Sequence, residues 1–316
     1  MENITRQQLK KGETLSYKVK RVIKRDWQMY LLCLPALIYI ILFEYCPMYG
    51  IQIAFRDYTA KGGITGSQWV GMKHFIRFVR NPNFSQLLKN TFTLGVYSLV
   101  AGFPIPIFVA LLMNQCRSLK FRKVVQTVIY APHFISTVVL VGMLGLFLSP
   151  TTGIVNHVLN LLGMESIYFM GRGDLFQDIY VWSGIWQNTG WGTIIYMAAL
   201  TGINPELYEA AKIDGASKYK MIWYIDLPGI APTMITLFIM NMGKFMGTGF
   251  MKAYLMQNAL NADASEIIAT YVYKIGLLNR QFSYSTAISL FNTVINIIML
   301  VTANQISKKV ANTGLF

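Results

Sequence analysis

Six long apolar runs constrain the fold of this chain more than any other feature of its sequence. They cover residues 27–47, 88–113, 124–150, 179–201, 230–256 and 286–306. Each run reaches or exceeds the roughly 20 residues that a helix needs to cross the hydrocarbon core of a bilayer. Only 13% of the residues are charged, which is about half of the fraction in soluble domains. The sequence therefore predicts an all-α membrane protein with six transmembrane helices.

The distribution of Lys and Arg predicts which loops face the cytoplasm. If the N-terminus is inside, the four inner segments hold 17 basic residues in 74 positions, and the three outer segments hold 8 in 97. Because basic residues accumulate in cytoplasmic loops, we predict that both termini lie in the cytoplasm. This asymmetry accounts for the formal net charge of +14 without a nucleic-acid partner. The basic arm 1–26 is expected to lie on anionic membrane lipid.

Motifs for catalysis are not found in this sequence. It has no GxxxxGK(S/T) phosphate loop, so the chain is not expected to hydrolyse ATP through that motif. It has no HExxH sequence and no pair of carboxylates placed for acid–base chemistry. Cys33, Cys46 and Cys116 lack metal or redox spacing. We therefore predict a chain that is not an enzyme. A secondary transporter working alone is an alternative, although neither an inverted repeat nor ion-coupling carboxylates are visible.

The polar stretch between the fourth and fifth runs interrupts the apolar pattern. Asn204 and Ser217 are typical N-cap residues, and each precedes a short helical segment. Gly215 between them can supply a tight turn. The second helix, over residues 218–225, is expected to end before Pro228, because a residue that precedes a proline disfavours the helical conformation. The pattern predicts a helix-turn-helix between two membrane spans, on the cytoplasmic side.

A motif with fixed spacing runs through this polar stretch. Glu209-Ala210-Ala211 is followed after three residues by Gly215, and after nine more by Ile225-Asp226-Leu227-Pro228. The spacing resembles the EAA loop of binding-protein-dependent ABC importer permeases, and Asp214-Gly215-Ala216 is typical of the carbohydrate-importing branch. Other segments are similar to polysaccharide permeases of the LplB type: Phe43 to Ile51, Ile53 to Tyr58, Trp69-Val70-Gly71, Thr270 to Tyr273 and Ala303 to Lys309.

The resemblance implies the type I ABC importer permease fold and a set of partners. A second homologous permease subunit, two cytoplasmic ATPase subunits and an extracellular solute-binding lipoprotein would complete the transporter. ATP and Mg²⁺ would bind to the ATPase subunits, so this chain would carry no cofactor or metal. The implied function is ATP-driven import of an oligosaccharide or another carbohydrate across the bacterial plasma membrane. A permease of the same architecture for a non-sugar solute is the alternative.

The resemblance also implies which residues contact the ATPase. Glu209 would form hydrogen bonds or an ion pair with it, although an ordinary exposed charge is the alternative. Gly215 would supply the turn and a close contact, and Leu227-Pro228 would end the loop and aim the fifth span. The predicted coupling residues are Glu209, Ala210, Ala211, Asp214, Gly215, Leu227 and Pro228.

Polar and aromatic residues within the spans are candidates for the substrate path, because polar groups in spans normally face a bundle interior or a water-filled path. A sugar path needs hydrogen-bonding groups and aromatic faces. The candidates are Trp186, Asn188 and Trp191 in the fourth run, and Asn241, Lys244 and Thr248 in the fifth. A continuous helix would place the last three on one face. Alternatively, Trp186 belongs to the interfacial aromatic belt, and the asparagines only bridge helices.

These assignments divide the chain into four segments. Residues 1–26 form the basic cytoplasmic arm, and residues 27–87 form the first transmembrane helix with its outer loop. Residues 88–306 form the permease core of five transmembrane helices, which contains the ATPase-coupling loop 204–229. Residues 307–316 form a cytoplasmic tail.

Overall fold

The computed structural model describes residues 25–116, 118–247, 249–311 and 314–315. The predicted basic arm lies outside the described residues except for its last two positions, and so does the path candidate Thr248. Residues 307–311 of the predicted tail continue the last helix. The described chain is largely helical, with one antiparallel hairpin in the first outer loop.

Helices of very different lengths follow one another along the chain. In chain order, the elements are α1 (Trp27–Phe55), β1 (Arg56–Thr59), β2 (Gly63–Trp69), α2 (Lys73–Val79), α3 (Phe84–Asn114), α4 (Leu119–Phe134), α5 (Thr137–Phe147), α6 (Ile154–Leu161), α7 (Gly173–Thr201), α8 (Pro205–Ile213), α9 (Lys218–Met242), α10 (Phe250–Met256), α11 (Ala262–Ser265), α12 (Ile268–Leu278) and α13 (Phe282–Ala311). The two strands pair with Arg56 opposite Trp69, Asp57 opposite Gln68 and Thr59 opposite Gly63.

Four described helices, α1, α3, α9 and α13, are long and apolar enough to cross a membrane. The pair α4 and α5 would make a fifth span if it counts as one bent unit. Helix α7 has 29 residues and is therefore about 43 Å long, but it is not among the helices of sufficient apolarity. The prediction of a multi-pass helical protein is confirmed, and the count of six spans stays a prediction.

The third apolar run, predicted to be one span, forms two helices. Helices α4 and α5 meet at an angle of 98°. Pro132 lies in a 3-10 turn at the end of α4, and Ile135 has an extended backbone. The Ser136 side chain then caps α5 by accepting a hydrogen bond from the Val139 amide at 3.3 Å. Average hydropathy alone does not reveal this bend, because the two helices together are apolar enough for one span.

The fifth apolar run is also interrupted, so the predicted continuous helix over 230–256 is wrong. Helix α9 ends at Met242, a 3-10 turn covers Phe245–Gly247, and α10 begins after Gly249. Gly249 has a φ of 76°, a left-handed conformation that favours glycine. The predicted common helical face of Asn241 and Lys244 is therefore lost, because Lys244 lies beyond the end of α9.

The short helix after Ser217 does not end before Pro228, contrary to the prediction. It continues as α9 through a π-helical turn, Ile222–Asp226, and Pro228 lies in the first turn of the α-helical segment that follows. A proline is tolerated there because its missing N–H would be unsatisfied in any case. The second helix of the coupling loop and the first part of the fifth run therefore form one continuous helix.

Helices α3 and α7 organise the core, because α3 contributes to all three buried clusters and α7 to two of them. One cluster joins α3, α5, α7 and α10, and a second joins α3, α7 and α9. The third joins α2, α3, α12 and α13 with the turn at Phe245–Gly247. Trp27–Ile40 of α1 has no buried residue, as expected of a helix surrounded by lipid.

The asparagines of α13 bridge helices, which was one of the two alternatives for polar residues in the spans. Asn292 donates to the Met246 carbonyl at 3.1 Å, and Asn296 accepts from the Met246 amide at 2.8 Å. Together they hold the interruption between α9 and α10 against α13. At Met246, the backbone groups freed by the break are thus satisfied by side chains of α13.

Candidate functional site

Helix α8 begins as its sequence predicts. The Asn204 side chain accepts a hydrogen bond from the Glu206 amide at 3.0 Å, and Pro205 occupies the first helical turn. Glu206 lies in that turn, where a carboxylate interacts favourably with the helix dipole. The N-terminus of α8 is thus defined by local chemistry.

The C-terminus of α8 forms a Schellman motif. The Ala216 amide donates to the Ala211 carbonyl at 2.8 Å, and the Gly215 amide donates to the Lys212 carbonyl at 3.1 Å. Gly215 has a φ of 70°, which the motif requires at this position. Ser217 caps α9 directly afterwards, accepting from the Lys220 amide at 3.4 Å. The turn between the two helices is therefore short and fixed at both ends.

The predicted coupling residues lie on this loop with different degrees of exposure. Glu209, Ala210, Asp214, Gly215 and Pro228 are exposed, whereas Ala211 and Leu227 are half-buried. Within the described part of the chain, the Glu209 carboxylate makes no hydrogen bond or ion pair. Ile213, an apolar residue at the end of α8, is 87% exposed. The exposed face of α8 thus presents a free carboxylate and an uncovered apolar side chain.

A buried carboxylate at Asp226 fastens α8 to the rest of the molecule. Asp226 is fully buried. It accepts hydrogen bonds from the Tyr208 hydroxyl at 2.5 Å, the Asn114 amide at 3.2 Å and the Gln115 amide at 2.9 Å. Lys218 adds a bond from its ammonium group to the Gln115 carbonyl at 3.2 Å. Asp226 therefore connects α8, α9 and the end of α3, a role that we did not predict from the motif.

The Tyr208 hydroxyl remains protonated at neutral pH. Burial and the adjacent Asp226 carboxylate raise the pKa of Tyr208 to about 12. The hydroxyl therefore acts as the donor and the Asp226 side chain as the acceptor. A tyrosine 18 positions before an aspartate was the only signal in the sequence, and it is not specific.

Two predicted path residues, Asn241 and Lys244, line a cavity of about 350 Å³ between α3, α7 and α9. Both are exposed, and neither side chain has a hydrogen-bond partner in the described residues. Ser98, Gly102 and Pro106 of α3 form part of the same wall. This geometry leaves one amide and one ammonium group available to a solute.

Asn188 lines a second cavity, of about 400 Å³. Ser98, Gly102 and Pro106 also line this cavity, so the two spaces adjoin along α3. The structure therefore places the predicted residues Asn188, Asn241 and Lys244 around one segment of α3, although they belong to different apolar runs.

The two predicted tryptophans of α7 lie in different surroundings. Trp191 stacks on His133 of α4, with ring centroids 4.6 Å apart and an angle of 8° between planes. The His133 Nδ1 atom lies 3.2 Å from the Asn188 Oδ1 atom, so these three residues form one group. Trp186 instead lines a groove between α5 and α7 that is apolar except for Ser183. The structure does not bring Trp186 together with the other candidates.

Lys252 of α10 is a further residue of the second cavity that the sequence reasoning missed. It is 7% exposed, and its ammonium group donates to the Tyr180 carbonyl at 2.6 Å. A lysine inside the fifth apolar run was a signal of the same kind as Lys244.

The fold and the loop define a membrane component of a transport system. The chain belongs to the family described as the binding-protein-dependent transport system inner membrane component, which matches residues 102–312. It is therefore a multi-pass protein of the bacterial plasma membrane and a permease component of an ABC importer. The predicted membership of this family is confirmed.

Individual relatives agree over nearly the whole chain. A polygalacturonan/rhamnogalacturonan transport system permease protein, YteP of Bacillus subtilis, is 44% identical and aligned over 91% of this chain and 90% of its own. Protein LplB of the same organism is 42% identical over 93% and 92%. A solved chain of a bacterial ABC transporter that imports the acidic polysaccharide alginate has a TM-score of 0.86 and 38% identity, covering 93% of this chain and 99% of that one. The predicted resemblance to LplB-type permeases is confirmed.

Proposed function

We propose that this chain is one of two transmembrane subunits of a carbohydrate importer, and that α8 is the helix by which a cytoplasmic ATPase subunit moves it. The observation that carries this proposal is the contrast between two adjacent residues. Tyr208 is tied to the buried Asp226, whereas Glu209 is exposed and free of partners in the described chain. One side of α8 is thus anchored while the other side is available to a partner.

Rigid attachment gives α8 a mechanical role. When ATP draws two ATPase subunits together, a helix seated on each subunit must move with it. Because Asp226 joins α8 to α9 and to the end of α3, displacement of α8 acts on both spans. Helices α3 and α7 border both adjoining cavities, and α9 borders the first of them. Movement of the coupling loop therefore reaches the walls of the cavities. ATP and Mg²⁺ bind to the partner ATPase, not to this chain.

A carbohydrate cargo is supported by the relatives and by the cavity walls. The names of YteP and of the alginate importer specify polysaccharides. Amide, hydroxyl and ammonium groups of Asn188, Ser98, Asn241 and Lys244 line the adjoining cavities, and these groups can hydrogen-bond sugar hydroxyls. In this arrangement both chain termini and α8 face the cytoplasm, and an extracellular binding lipoprotein delivers the sugar. A second, homologous permease completes the path.

Photo-crosslinking tests the role of α8. A photoreactive amino acid replaces the exposed Ala210 in the assembled transporter, and the matched control replaces Leu161 of α6, which is 74% exposed. We expect position 210 alone to crosslink to the ATP-hydrolysing subunit, with a yield that changes when ATP binds. Equal crosslinking at both positions would contradict the proposal, as would solute transport by the purified chain alone without ATP.

A further inference from the structure

Lys252 carries a buried charge without a countercharge in the described chain. Its ammonium group donates to the Tyr180 carbonyl at 2.6 Å and lies 4.7 Å from the centroid of the Tyr180 ring. No described carboxylate pairs with it. Both contacts partly replace water, but an ion removed from water normally requires an opposite charge as well. The countercharge must therefore come from outside the described residues.

Two glycines leave the space beside this ammonium group open. A Cβ atom at Gly184 would lie 3.2 Å from the Lys252 Nζ atom. A Cβ atom at Gly249 would overlap the Tyr180 hydroxyl. Gly184, Gly249, Tyr180 and Lys252 all line the second cavity. The ammonium group is thus held against α7 at the wall of a space of about 400 Å³.

The surroundings of both adjoining cavities are positive. Lys252 lines one cavity and Lys244 lines the other, and none of the described lining residues is acidic. The nearest acidic residue of α7, Asp178, accepts a hydrogen bond from Tyr97 at 2.7 Å and lines neither cavity. A solute that crosses this region therefore meets two ammonium groups and no carboxylate from the described chain.

We propose that Lys252 binds a carboxylate of the transported solute, and that the solute is an acidic oligosaccharide built from uronic acid residues. This inference rests on the proposed function, since it requires the cavities to lie on the sugar path. Asn188, on the same cavity wall, is placed to bond hydroxyl groups of that sugar residue. Lys244 is available to a second carboxylate of the same chain, because the two cavities adjoin at Ser98 and Gly102.

Direct binding to the assembled transporter tests the inference. The probes are trigalacturonate and its carboxyl-reduced, neutral trisaccharide, measured by calorimetry on the permease–ATPase complex in lipid nanodiscs without binding protein. We expect the acidic probe to bind at least about tenfold more tightly, since that ratio corresponds to one modest interaction. Lys252→Met should abolish the preference, Lys252→Arg should retain part of it, and the control Lys89→Met, an exposed lysine outside both cavities, should leave it unchanged.

Several results would overturn the inference. Equal affinity of wild type for the two probes, or no binding of either, contradicts it without the use of a variant. A preference that persists in Lys252→Met also contradicts it. If the Lys252→Met variant loses the partner permease while the remaining assembly still prefers the acidic probe, the countercharge of Lys252 belongs to the partner permease and not to the solute. The proposed function is tested separately by copurification. If it is wrong, the ATPase does not copurify with this chain, and this result does not depend on the probe.

Discussion

The Tyr208 hydroxyl donates a hydrogen bond to the Asp226 carboxylate across the turn at Gly215. This bond joins the two helices of the loop at a point where only one of them continues into the membrane. Tyr208 lies on the anchored side of α8, one position before the exposed Glu209. A buried hydrogen bond therefore fixes the orientation of α8 relative to α9, and we call this contact between Tyr208 and Asp226 the brace of the loop.

Replacement of Tyr208 by Phe should weaken this brace. The change removes one of three side-chain donors to Asp226, and a hydrogen bond to a charged group contributes about 1.5–3 kcal/mol. We expect faster amide exchange over residues 204–216 and a several-fold lower stimulation of ATP hydrolysis by the loaded binding protein. Hydrogen exchange and ATPase assays on the reconstituted transporter measure both. Tyr219→Phe, at a residue 79% exposed, is the control, and unchanged stimulation in Tyr208→Phe would refute the role of the brace.

Glu209→Lys and Gly215→Trp should leave the subunit inserted but uncoupled from ATP hydrolysis. The first variant reverses a free charge on the exposed face of α8. The second places a bulky side chain at a φ of 70°, where residues with a Cβ atom are strained. Membrane content, sugar uptake and stimulated ATPase activity are the measurements. Glu165→Lys, at another exposed carboxylate, should behave as wild type, and normal uptake by the Glu209 variant would disprove the contact.

Lys244→Cys should react with small polar thiol reagents, because its side chain lines an open cavity. The background requires replacement of Cys33, Cys46 and Cys116, which form no disulfide. Ile239→Cys is the matched control on the preceding helix, since Ile239 is fully buried. Reaction rates with and without ATP should differ if the cavity opens and closes during transport. Complete protection of position 244 in every state would exclude it from the path.

Gly190→Ala should destabilise the packing of α7 against α4. A Cβ atom at this position would overlap the Ile129 carbonyl, so one of the two helices must shift, at a cost of about 1–3 kcal/mol. The melting temperature of the purified complex should fall. Gly145→Ala in α5 is the control, because nothing lies within 4 Å of its Cβ position, and it should be neutral or slightly stabilising. An equal response of both variants would contradict close packing at Gly190.

Much of the coupling loop could be predicted from the sequence because its determinants are local. Asn204 and Ser217 cap helices within three residues of themselves, and Gly215 meets the backbone requirement of a turn that it occupies. The membrane character was likewise readable, since it depends on the length of apolar runs. The family motif added the expectation of a partner at Glu209, which no local rule supplies.

Interruptions within the apolar runs could not be predicted in the same way. The bend between α4 and α5, and the break between α9 and α10, lie inside runs that are long and apolar enough on average to be read as single spans. At each interruption, backbone groups lose their partners within the helix and bond to groups elsewhere in the chain. The Met246 amide, for example, donates to the Asn296 side chain. Such compensation comes from a distant segment, so a window along the chain does not detect it.

The sequence by itself determined that this chain enters a membrane, where its coupling loop lies and how that loop turns, because these properties depend on neighbours within a few residues. Only the tertiary structure decided what the loop is fastened to and what faces the cavities. The donors of Asp226 at Asn114 and Gln115 lie 112 and 111 positions away, and the carbonyl that receives Lys252 lies 72 positions away. A buried charged group is stabilised by the polar groups that tertiary packing places around it, and these groups come from distant parts of the sequence.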